Sequence, residues 1–279
     1  MTLPSRPTGV QCHATMSIPV ALTIAGSDSG GGAGIQADIK AMQANGVFAA
    51  SVITAITAQN TVAVTDALDL PPSLIRSQVE AVMTDLPVAA AKTGMLSSID
   101  IITTVAAAVR DFRITPLVVD PVMISKSGFS LLQDDAVQAL IDDMLPLATV
   151  CTPNAHEAAR LVGGAILTAS DAAEAARAIH AMGPGAVLVK GGHLDDEPEA
   201  VDVLFDGQDV HIIRSPRIDT PHTHGTGCTY AAAIAARLAH GDRVADAVRS
   251  AHDYVHDAIK AGLPIGKGHG PTDHFFFLR

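Results

Sequence analysis

Aromatic residues are scarce in this 279-residue chain, which has no tryptophan and is only 3% aromatic. Because 48% of its residues are nevertheless hydrophobic, the core must be built from alanine, valine, leucine and isoleucine. Such a composition is typical of strands that helices cover on both faces. A chain of this length buries roughly three quarters of its unfolded surface, which supports one large α/β domain.

Positive charge is also scarce. The chain has 18 Lys and Arg residues against 29 Asp and Glu residues, a formal net charge of −11. This balance argues against a nucleic-acid or anionic-membrane partner held by a basic surface. A bound phosphate group would therefore need local help from backbone amides, a few placed lysines or a divalent cation.

The sequence has neither a disulfide pattern nor a long apolar run. Cys12, Cys151 and Cys228 are odd in number and far apart, which favours a protein of the reducing cytoplasm. No segment approaches the ~18 apolar residues of a membrane span, so we expect a soluble protein. Residues 1–17 lack the features of a signal peptide and are interpreted as a flexible leader, with residues 18–279 forming a single domain.

Apolar runs that resemble strands alternate with amphipathic helical segments along most of the chain. Helices are predicted, for example, at residues 134–145 and at residues 170–182, with Ser170 as the N-cap of the latter. Right-handed crossovers between such strands build a parallel sheet with helices on both faces. Two alternating segments around the Asp206-Gly207 turn predict an antiparallel hairpin at the sheet edge.

The motif HGTGC at residues 224–228 leads directly into an alanine-rich helix. Gly225 and Gly227 allow a tight turn, and the first amide groups of the helix lack intrahelical partners, so a phosphate group is the natural occupant. Cys228 falls in the first helical turn, where the helix dipole can stabilise a thiolate by ~1 kcal/mol. Taken alone, the motif fits an ordinary glycine-containing helix start equally well.

In a doubly wound sheet, residues at the carboxyl ends of the strands become neighbours, and ligands bind there. Besides residues 225–228, this rule collects the glycine-rich turn after the first strand and Gln59, Lys92, Asp120, Asn154, Glu157 and Lys190. Two carboxylates suit a Mg²⁺ ion that bridges nucleotide phosphates, and lysines neutralise phosphate oxygens. Taken separately, Asp120 could simply end a strand, and Glu157 could be a first-turn acid favoured by the helix dipole.

The sequence gives less support to other kinds of binding site. The turn GSDSGGGAG matches neither the P-loop nor the dinucleotide fingerprint, which argues against an NAD-dependent oxidoreductase. His222 and His224 with Cys228 lack a fourth ligand and the paired spacing of a zinc site. Gln59 could hydrogen-bond the edge of a planar heterocycle through both ends of its amide, although a lone glutamine is more often a loop residue.

Seven motifs occur in order along the chain: AGSDSGGGAGIQADIKA, VITAITAQNT, AAKTGMLSS, VVDPVM, TPNAHEA, VLVKGGH and HGTGCT. In this combination the chain resembles the hydroxymethylpyrimidine/phosphomethylpyrimidine kinases of thiamine biosynthesis, which belong to the ribokinase-like superfamily. The resemblance implies a three-layer α/β/α sandwich with a mostly parallel central sheet and antiparallel edge strands. The long β insertion that forms a lid in sugar kinases of this superfamily is lacking, which favours a flat aromatic substrate.

The resemblance also implies roles for individual residues. These are Gly225, Thr226, Gly227, Cys228 and Lys190 at the reacting atoms; Asn154, Glu157, Lys190 and Thr226 around ATP; Asp120 and Glu157 on Mg²⁺; and Gly26, Asp38, Gln59, Met95 and Lys267 around the pyrimidine and its phosphate. Cys228 is the expected base on the substrate hydroxymethyl group. A thiol with a pKa of ~8.5 is a poor base unless the helix terminus lowers that pKa.

The implied activity is the ATP-dependent phosphorylation of 4-amino-5-hydroxymethyl-2-methylpyrimidine, called the hydroxymethylpyrimidine below, and then of its monophosphate to the diphosphate. The nearest alternative is a pyridoxine/pyridoxal kinase on the same fold. A more distant alternative is a non-catalytic vitamin- or nucleotide-sensing module. The resemblance further implies a homodimer, and the composition adds that no nucleic-acid or membrane partner is expected.

Overall fold

The computed structural model describes residues 18–125, 128–192, 194 and 199–279. The predicted flexible leader, residues 1–17, lies outside this part of the chain. No helix within the described ranges is long and apolar enough to cross a membrane.

Nine strands of the described chain form a single sheet. They are β1 (Val20–Asp28), β2 (Phe48–Gln59), β3 (Val64–Asp69), β4 (Val88–Thr93), β5 (Leu117–Val119), β6 (Val150–Cys151), β7 (Val187–Val189), β8 (Ala200–Phe205) and β9 (Val210–Ser215). Across the sheet they follow the order β3-β2-β1-β4-β5-β6-β7-β8-β9. The six strands from β2 to β7 in this order run parallel, whereas β3, β8 and β9 pair antiparallel at the two edges.

The central strands are buried on both faces of the sheet. In β5, Leu117 and Val119 belong to one hydrophobic cluster, whereas Val118 between them belongs to a second cluster. Successive side chains of a strand point to opposite faces, so the two clusters lie on opposite sides of the sheet. This double burial explains why the strands appear in the sequence as continuous apolar runs.

Helices cover both faces of the sheet. They are α1 (Gly34–Ala44), α2 (Pro72–Met83), α3 (Ile99–Asp111), α4 (Val137–Ala139), α5 (Ala155–Val162), α6 (Ala169–His180), α7 (Thr226–Ala239) and α8 (Val244–Lys260). Side chains of α2 to α6 pack into the first hydrophobic cluster, whereas those of α1, α7 and α8 pack into the second. The molecule is therefore a three-layer α/β/α sandwich with a mostly parallel sheet and antiparallel edges, as the sequence predicts.

Helix α7 occupies the middle of its layer. Every residue from Thr229 to Ala236 is buried, and the helix packs against both α1 and α8. Alanine side chains leave room for close approach of the neighbouring helices and the sheet. The molecule thereby fills its core with few aromatic side chains.

The helix predicted at residues 134–145 is broken into short turns. A 3-10 turn (Asp134–Ala136) precedes α4, and a π turn (Leu140–Met144) and a second 3-10 turn (Leu145–Leu147) follow it. Pro146 lacks an amide hydrogen, and its ring clashes with the carbonyl group four residues earlier, so a regular helix cannot continue here.

The predicted N-cap at Ser170 is wrong. Helix α6 begins at Ala169, and Thr168 caps it in a capping box with Asp171. A hydroxyl residue followed three positions later by an acid is the expected signature of such a box. It occurs here two residues before the predicted cap.

Candidate active site

A cavity of about 810 Å³ opens at the carboxyl ends of the parallel strands. It brings together most of the residues predicted from the sequence: Gly26, Gln59, Met95, Asp120, Asn154, Glu157, Lys190, Gly225, Thr226, Gly227 and Cys228. Parallel strands end on one edge of a sheet, which is why residues far apart in the chain meet there. Asp38 and Lys267 do not line the cavity.

The turn that opens α7 packs directly on another loop. Gly225, the N-cap residue of α7, has φ 80°. A Cβ atom at this position would lie 1.8 Å from the carbonyl oxygen of Gly32, in the loop between β1 and α1. Only glycine fits both the left-handed backbone and this contact. The Thr226 N–H donates to the Thr223 carbonyl at 3.3 Å, but no side chain of the described residues caps α7, so the N–H groups of Gly227 and Cys228 remain open to an anion in the cavity.

Cys228 lies at the N-termini of two helices. It belongs to the first turn of α7, and its sulfur accepts a hydrogen bond from the backbone N–H of Gly34 at the start of α1. Burial nevertheless raises the pKa of Cys228 to about 11; the charge of Lys92 opposes this effect, and that of Asp38 adds to it. Burial therefore works against the thiolate that the helix terminus was expected to stabilise, and the role of Cys228 as a base stays a prediction.

Lys190 and Asp120 form an ion pair at the centre of the cavity. The Lys190 Nζ atom lies 2.8 Å from Oδ1 of Asp120, which also accepts a hydrogen bond from the Thr152 hydroxyl at 3.1 Å. Burial alone would lower the pKa of Lys190, but the carboxylates of Asp120 and Glu157 hold it above its ordinary value. The ammonium group is therefore charged and available to a phosphate group. A Cβ atom on Gly227 would lie 3.3 Å from this Nζ and 3.9 Å from Oδ2 of Asp120.

Asn154 and Glu157 form a capping box at the start of α5. The Asn154 side chain accepts the Glu157 N–H at 2.9 Å, and the Glu157 carboxylate accepts the Asn154 N–H at 2.8 Å. The plain interpretation of Glu157 as a first-turn acid is thus correct, yet the residue also lines the cavity. Burial raises the pKa of Glu157 to about 7; Lys190 opposes this shift, and Asp120 adds to it.

Asp120 and Glu157 form a suitable pair for Mg²⁺. No group of three His, Cys, Asp or Glu side chains among the described residues could hold a metal ion by itself. Mg²⁺ characteristically uses one or two carboxylates and takes its other ligands from water and substrate phosphates. The two carboxylates fit that requirement, since they flank Lys190 in one cavity.

Gln59 is held by protein contacts at both ends of its amide. The Thr57 hydroxyl lies 3.1 Å from Oε1 of Gln59 and donates to the Ser27 carbonyl at 3.0 Å, and Nε2 of Gln59 lies 3.5 Å from Nε2 of His224. Gly26 lies close by, where a Cβ atom would come within 3.0 Å of the Met95 sulfur. A flat ring can approach this narrow part of the cavity because residue 26 has no side chain.

Asp28 and His224 connect the two loops of the site. The Asp28 carboxylate accepts the backbone N–H groups of Gly30, Gly32 and Ala33, and its Oδ2 lies 2.9 Å from Nε2 of His224. Burial would raise the pKa of Asp28, but His224 and the backbone amides outweigh burial and lower it. The Asp-Ser-Gly-Gly pattern is a sequence signal for the backbone bonds. Nothing in the sequence signals the partner 196 positions away.

Asp38 lies behind the cavity wall. Both of its oxygens are 2.9 Å from Nζ of Lys92, and the Thr23 hydroxyl donates to one of them at 2.6 Å. Asp38 and Lys92 are both fully buried, and Lys92 separates Asp38 from the cavity. Burial would lower the pKa of Lys92, but the Asp38 charge reverses the effect and raises it.

Lys267 is exposed in the C-terminal segment. The contact that fixes its position is a backbone hydrogen bond, in which the Lys267 N–H donates to the Thr61 hydroxyl at 3.2 Å. The contact of its side chain with the substrate phosphate stays a prediction.

One face of α8 lines the cavity beside β8, the neighbour in the sheet of β7, after which Lys190 lies. Its residues are His252, Val255, His256 and Ile259. This spacing places four side chains on one side of a helix. Asp202 of β8 and Tyr230 of α7 complete this wall, and none of these residues is predicted from the sequence.

Comparison with known proteins finds a matching family and similar sequences over most of the chain. The family model described as phosphomethylpyrimidine kinase matches residues 28–273. The chain is 50% identical over 260 residues to a hydroxymethylpyrimidine/phosphomethylpyrimidine kinase of Streptomyces coelicolor, covering 93% of this chain and 96% of that protein.

Solved structures are similar in fold over most of the chain. A Bacillus subtilis pyridoxal kinase in complex with ADP has a TM-score of 0.88 at 40% identity and covers 94% of this chain and 99% of its own. A phosphomethylpyrimidine kinase from Clostridium difficile has a TM-score of 0.77 at 44% identity, and the match covers 86% of this chain and 99% of that chain. The chain therefore belongs to the phosphomethylpyrimidine kinase family.

Proposed function

We propose that the protein uses ATP to phosphorylate the hydroxymethylpyrimidine and then its monophosphate to the diphosphate, as a step of thiamine biosynthesis. The observation that carries this proposal is the arrangement of one continuous cavity. In the order of the strands across the sheet, Gln59 and Gly26 belong to β2 and β1, with Met95 beside Gly26. The charged pair of Asp120 and Lys190 follows β5 and β7, and the face of α8 lies beside Asp202 of β8. An aromatic alcohol, a transferring phosphate and a nucleoside fit these three regions in turn.

The central residues would act through position and charge. Phosphoryl transfer has a loose transition state, so a protein contributes mainly positioning and electrostatic stabilisation. The amides of Gly227 and Cys228 would bind the migrating phosphoryl group, and each such donor is worth roughly 3 kcal/mol to a transition state. The Lys190 ammonium would neutralise the phosphate oxygens of ATP.

Cys228 would orient the substrate hydroxymethyl group rather than remove its proton at the outset. Its pKa of about 11 keeps the sulfur protonated near neutral pH. A protonated thiol can hydrogen-bond the attacking oxygen, and the hydroxyl proton would pass to an oxygen of the transferred phosphoryl group as the new bond to phosphorus forms late in a loose transition state.

Asp120 and Glu157 would hold Mg²⁺, directly or through water molecules. Bound there, the ion would neutralise charge that develops on the phosphate oxygens. The protein's own contribution is to keep both carboxylates beside Lys190. The Glu157 proton would leave when the metal binds, because a carboxylate binds a metal in its charged form.

The experiment incubates purified protein with Mg-ATP and, separately, the hydroxymethylpyrimidine, its monophosphate and pyridoxal. ADP release and the mass of the product are measured. We expect turnover with both pyrimidines. Turnover with pyridoxal alone would contradict the proposal and would support the second candidate, a pyridoxal kinase. The similarity to the Bacillus subtilis pyridoxal kinase supports that candidate. Absence of turnover with all three would favour a sensing module.

We also propose that the protein is a homodimer that works in the cytoplasm, where ATP is available and thiols stay reduced. The support for a dimer is the antiparallel edge formed by β2 and β3, where Phe48, Ile56, Val62 and Leu68 are exposed. An exposed apolar sheet edge favours contact with a second chain. Light scattering should give twice the mass of one chain, and Ile56→Asp should shift it to one chain.

A further inference from the structure

Asp202 of β8 and His252 of α8 form a buried pair on the α8 side of the cavity. Nδ1 of His252 lies 3.0 Å from Oδ2 of Asp202. The two residues are only 7% and 8% exposed, and both line the cavity wall. His252 belongs to the α8 face beside the nucleoside region, but neither residue takes part in the transfer of the phosphoryl group.

The other oxygen of Asp202 holds the loop that carries Lys190. Oδ1 accepts the backbone N–H of Gly191 at 2.9 Å, and the N–H of Lys190 itself donates to the carbonyl of Pro153 at 2.8 Å. A Cβ atom on Gly191 would lie 1.6 Å from the carbonyl oxygen of Val201, so this loop is pressed against β8. Asp202 therefore fixes the point at which the chain leaves β7 and hence the base of the Lys190 side chain.

Apolar packing does not account for a histidine at position 252. Its Nε2 atom is buried without a hydrogen-bond partner among the described residues, and the ring of Tyr230 packs beside it with the two ring centroids 6.2 Å apart. Buried polar atoms without partners are unfavourable, and a leucine would avoid them. The interaction that favours histidine here is the Nδ1–H donated to Asp202, which also orients the imidazole ring.

We propose that Asp202 and His252 are positioning residues for the nucleotide. Asp202 holds residues 190–191 where Lys190 meets the phosphates, and His252 holds Asp202 while forming part of the wall beside the nucleoside. This inference rests on the proposed function only in taking Lys190 to meet the phosphates of ATP. It does not depend on which alcohol is phosphorylated.

The test measures the dissociation constants of ATP and of the hydroxymethylpyrimidine by calorimetry on the full chain. In His252→Ala we expect ATP to bind about tenfold more weakly, which corresponds to roughly 1.4 kcal/mol. The pyrimidine should bind as in the wild type. In His252→Asn the amide N–H can replace Nδ1–H at Asp202, so most of the ATP affinity should return.

Val248→Ala is the matched control. Val248 lies one turn before His252 on α8, is fully buried and does not line the cavity. This variant should lower the melting temperature without changing ATP affinity. A structural role alone would instead make His252→Ala resemble Val248→Ala.

Three results would overturn the inference: normal ATP affinity in His252→Ala, equal losses in His252→Ala and His252→Asn, or no ATP binding by the wild type. If His252→Ala does not fold, Asp202→Asn is tested instead. This variant keeps the shape of the side chain and an acceptor for the Gly191 N–H but loses the charge, and the inference requires that it weaken ATP binding. Failure of the proposed function gives a different pattern. The wild type would phosphorylate only pyridoxal, while the variants would still lose ATP affinity.

Discussion

Two glycines of one motif are required for different physical reasons. Gly225 has a left-handed backbone and touches the carbonyl group of Gly32, so it is needed for folding. Gly227 does not have a left-handed backbone, and the atoms closest to an added methyl group would be those of Lys190 and Asp120. The absence of a side chain at Gly227 therefore keeps space free in the site itself.

Gly227→Ala should separate activity from stability. We expect kcat/KM to fall at least about tenfold, a loss of roughly 1.4 kcal/mol in transition-state stabilisation, because the methyl group occupies the space beside Lys190. The melting temperature should stay equal or rise, since alanine is favoured over glycine in a helix by ~1 kcal/mol. Steady-state kinetics and thermal unfolding measure both effects. Gly225→Ala is the control and should lose stability.

Glu157→Gln should raise stability and lower activity. Burial raises the Glu157 pKa from 4.5 to about 7, so the folded protein binds this proton more tightly than the unfolded chain does. The resulting stabilisation is full below pH ~4.5 and is lost as the pH rises through about 7. The variant should therefore melt higher than the wild type at pH 8 and similarly at pH 4, while kcat falls. A lower melting temperature at pH 8 would contradict this account.

For a single residue, the sequence predicts where the side chain lies better than whether it is protonated. The place of Cys228 at a helix start follows from the motif, but the direction of its pKa shift does not. A helix terminus contributes only ~1 kcal/mol, whereas burial depends on residues from several other elements. Asp38 and Lys92 are such residues, and they are brought beside Cys228 only by folding.

Between elements, the ion pair of Asp38 and Lys92 connects α1 to β4 inside the molecule. Asp38→Ala should destabilise the fold by about 3–5 kcal/mol, because it leaves the Lys92 charge buried without a partner. The double variant Asp38→Leu with Lys92→Met should recover most of that loss, since it removes both charges. Urea unfolding measures each value. If Asp38→Ala instead keeps its stability and loses pyrimidine binding, Asp38 is the ligand that the resemblance implies.

The order and type of the elements could be predicted because each buried strand is a distinct apolar run. Where local signals compete, the prediction failed, as at Ser170, which loses to Thr168 as the cap of α6. Contacts between elements could be predicted only through the rule that strand ends converge. That rule placed Asp120 beside Lys190 but could not find the Asp28–His224 pair or the cavity wall of α8.

Across the whole molecule, a chain of hydrogen bonds links the C-terminal segment to the anion-binding turn. The Thr229 hydroxyl donates to the carbonyl of Gly225 at 2.9 Å and lies 3.0 Å from Nε2 of His274. Because the hydroxyl has a single hydrogen, His274 must be the donor in the second bond. The tail therefore supports the start of α7 from behind.

Protonation of His274 should lower the free energy of unfolding in mild acid. Burial lowers its pKa from 6.5 to about 4, with a contribution from the charge of Lys40. The unfolded chain therefore binds this proton more readily, and the stabilisation present above pH ~6.5 is lost as the pH falls through about 4, by up to roughly 3 kcal/mol. Urea unfolding from pH 7 to pH 4 measures the loss. His274→Gln should show a shallower pH dependence, and identical curves would contradict the assignment.

The most direct test of the central claim is a competition for limiting Mg-ATP between equimolar hydroxymethylpyrimidine and pyridoxal. At low concentrations the ratio of the two phosphorylated products gives the ratio of the kcat/KM values, independent of enzyme concentration. We predict that the phosphorylated pyrimidine exceeds pyridoxal phosphate by at least about tenfold, a difference of roughly 1.4 kcal/mol. An excess of pyridoxal phosphate would contradict the account.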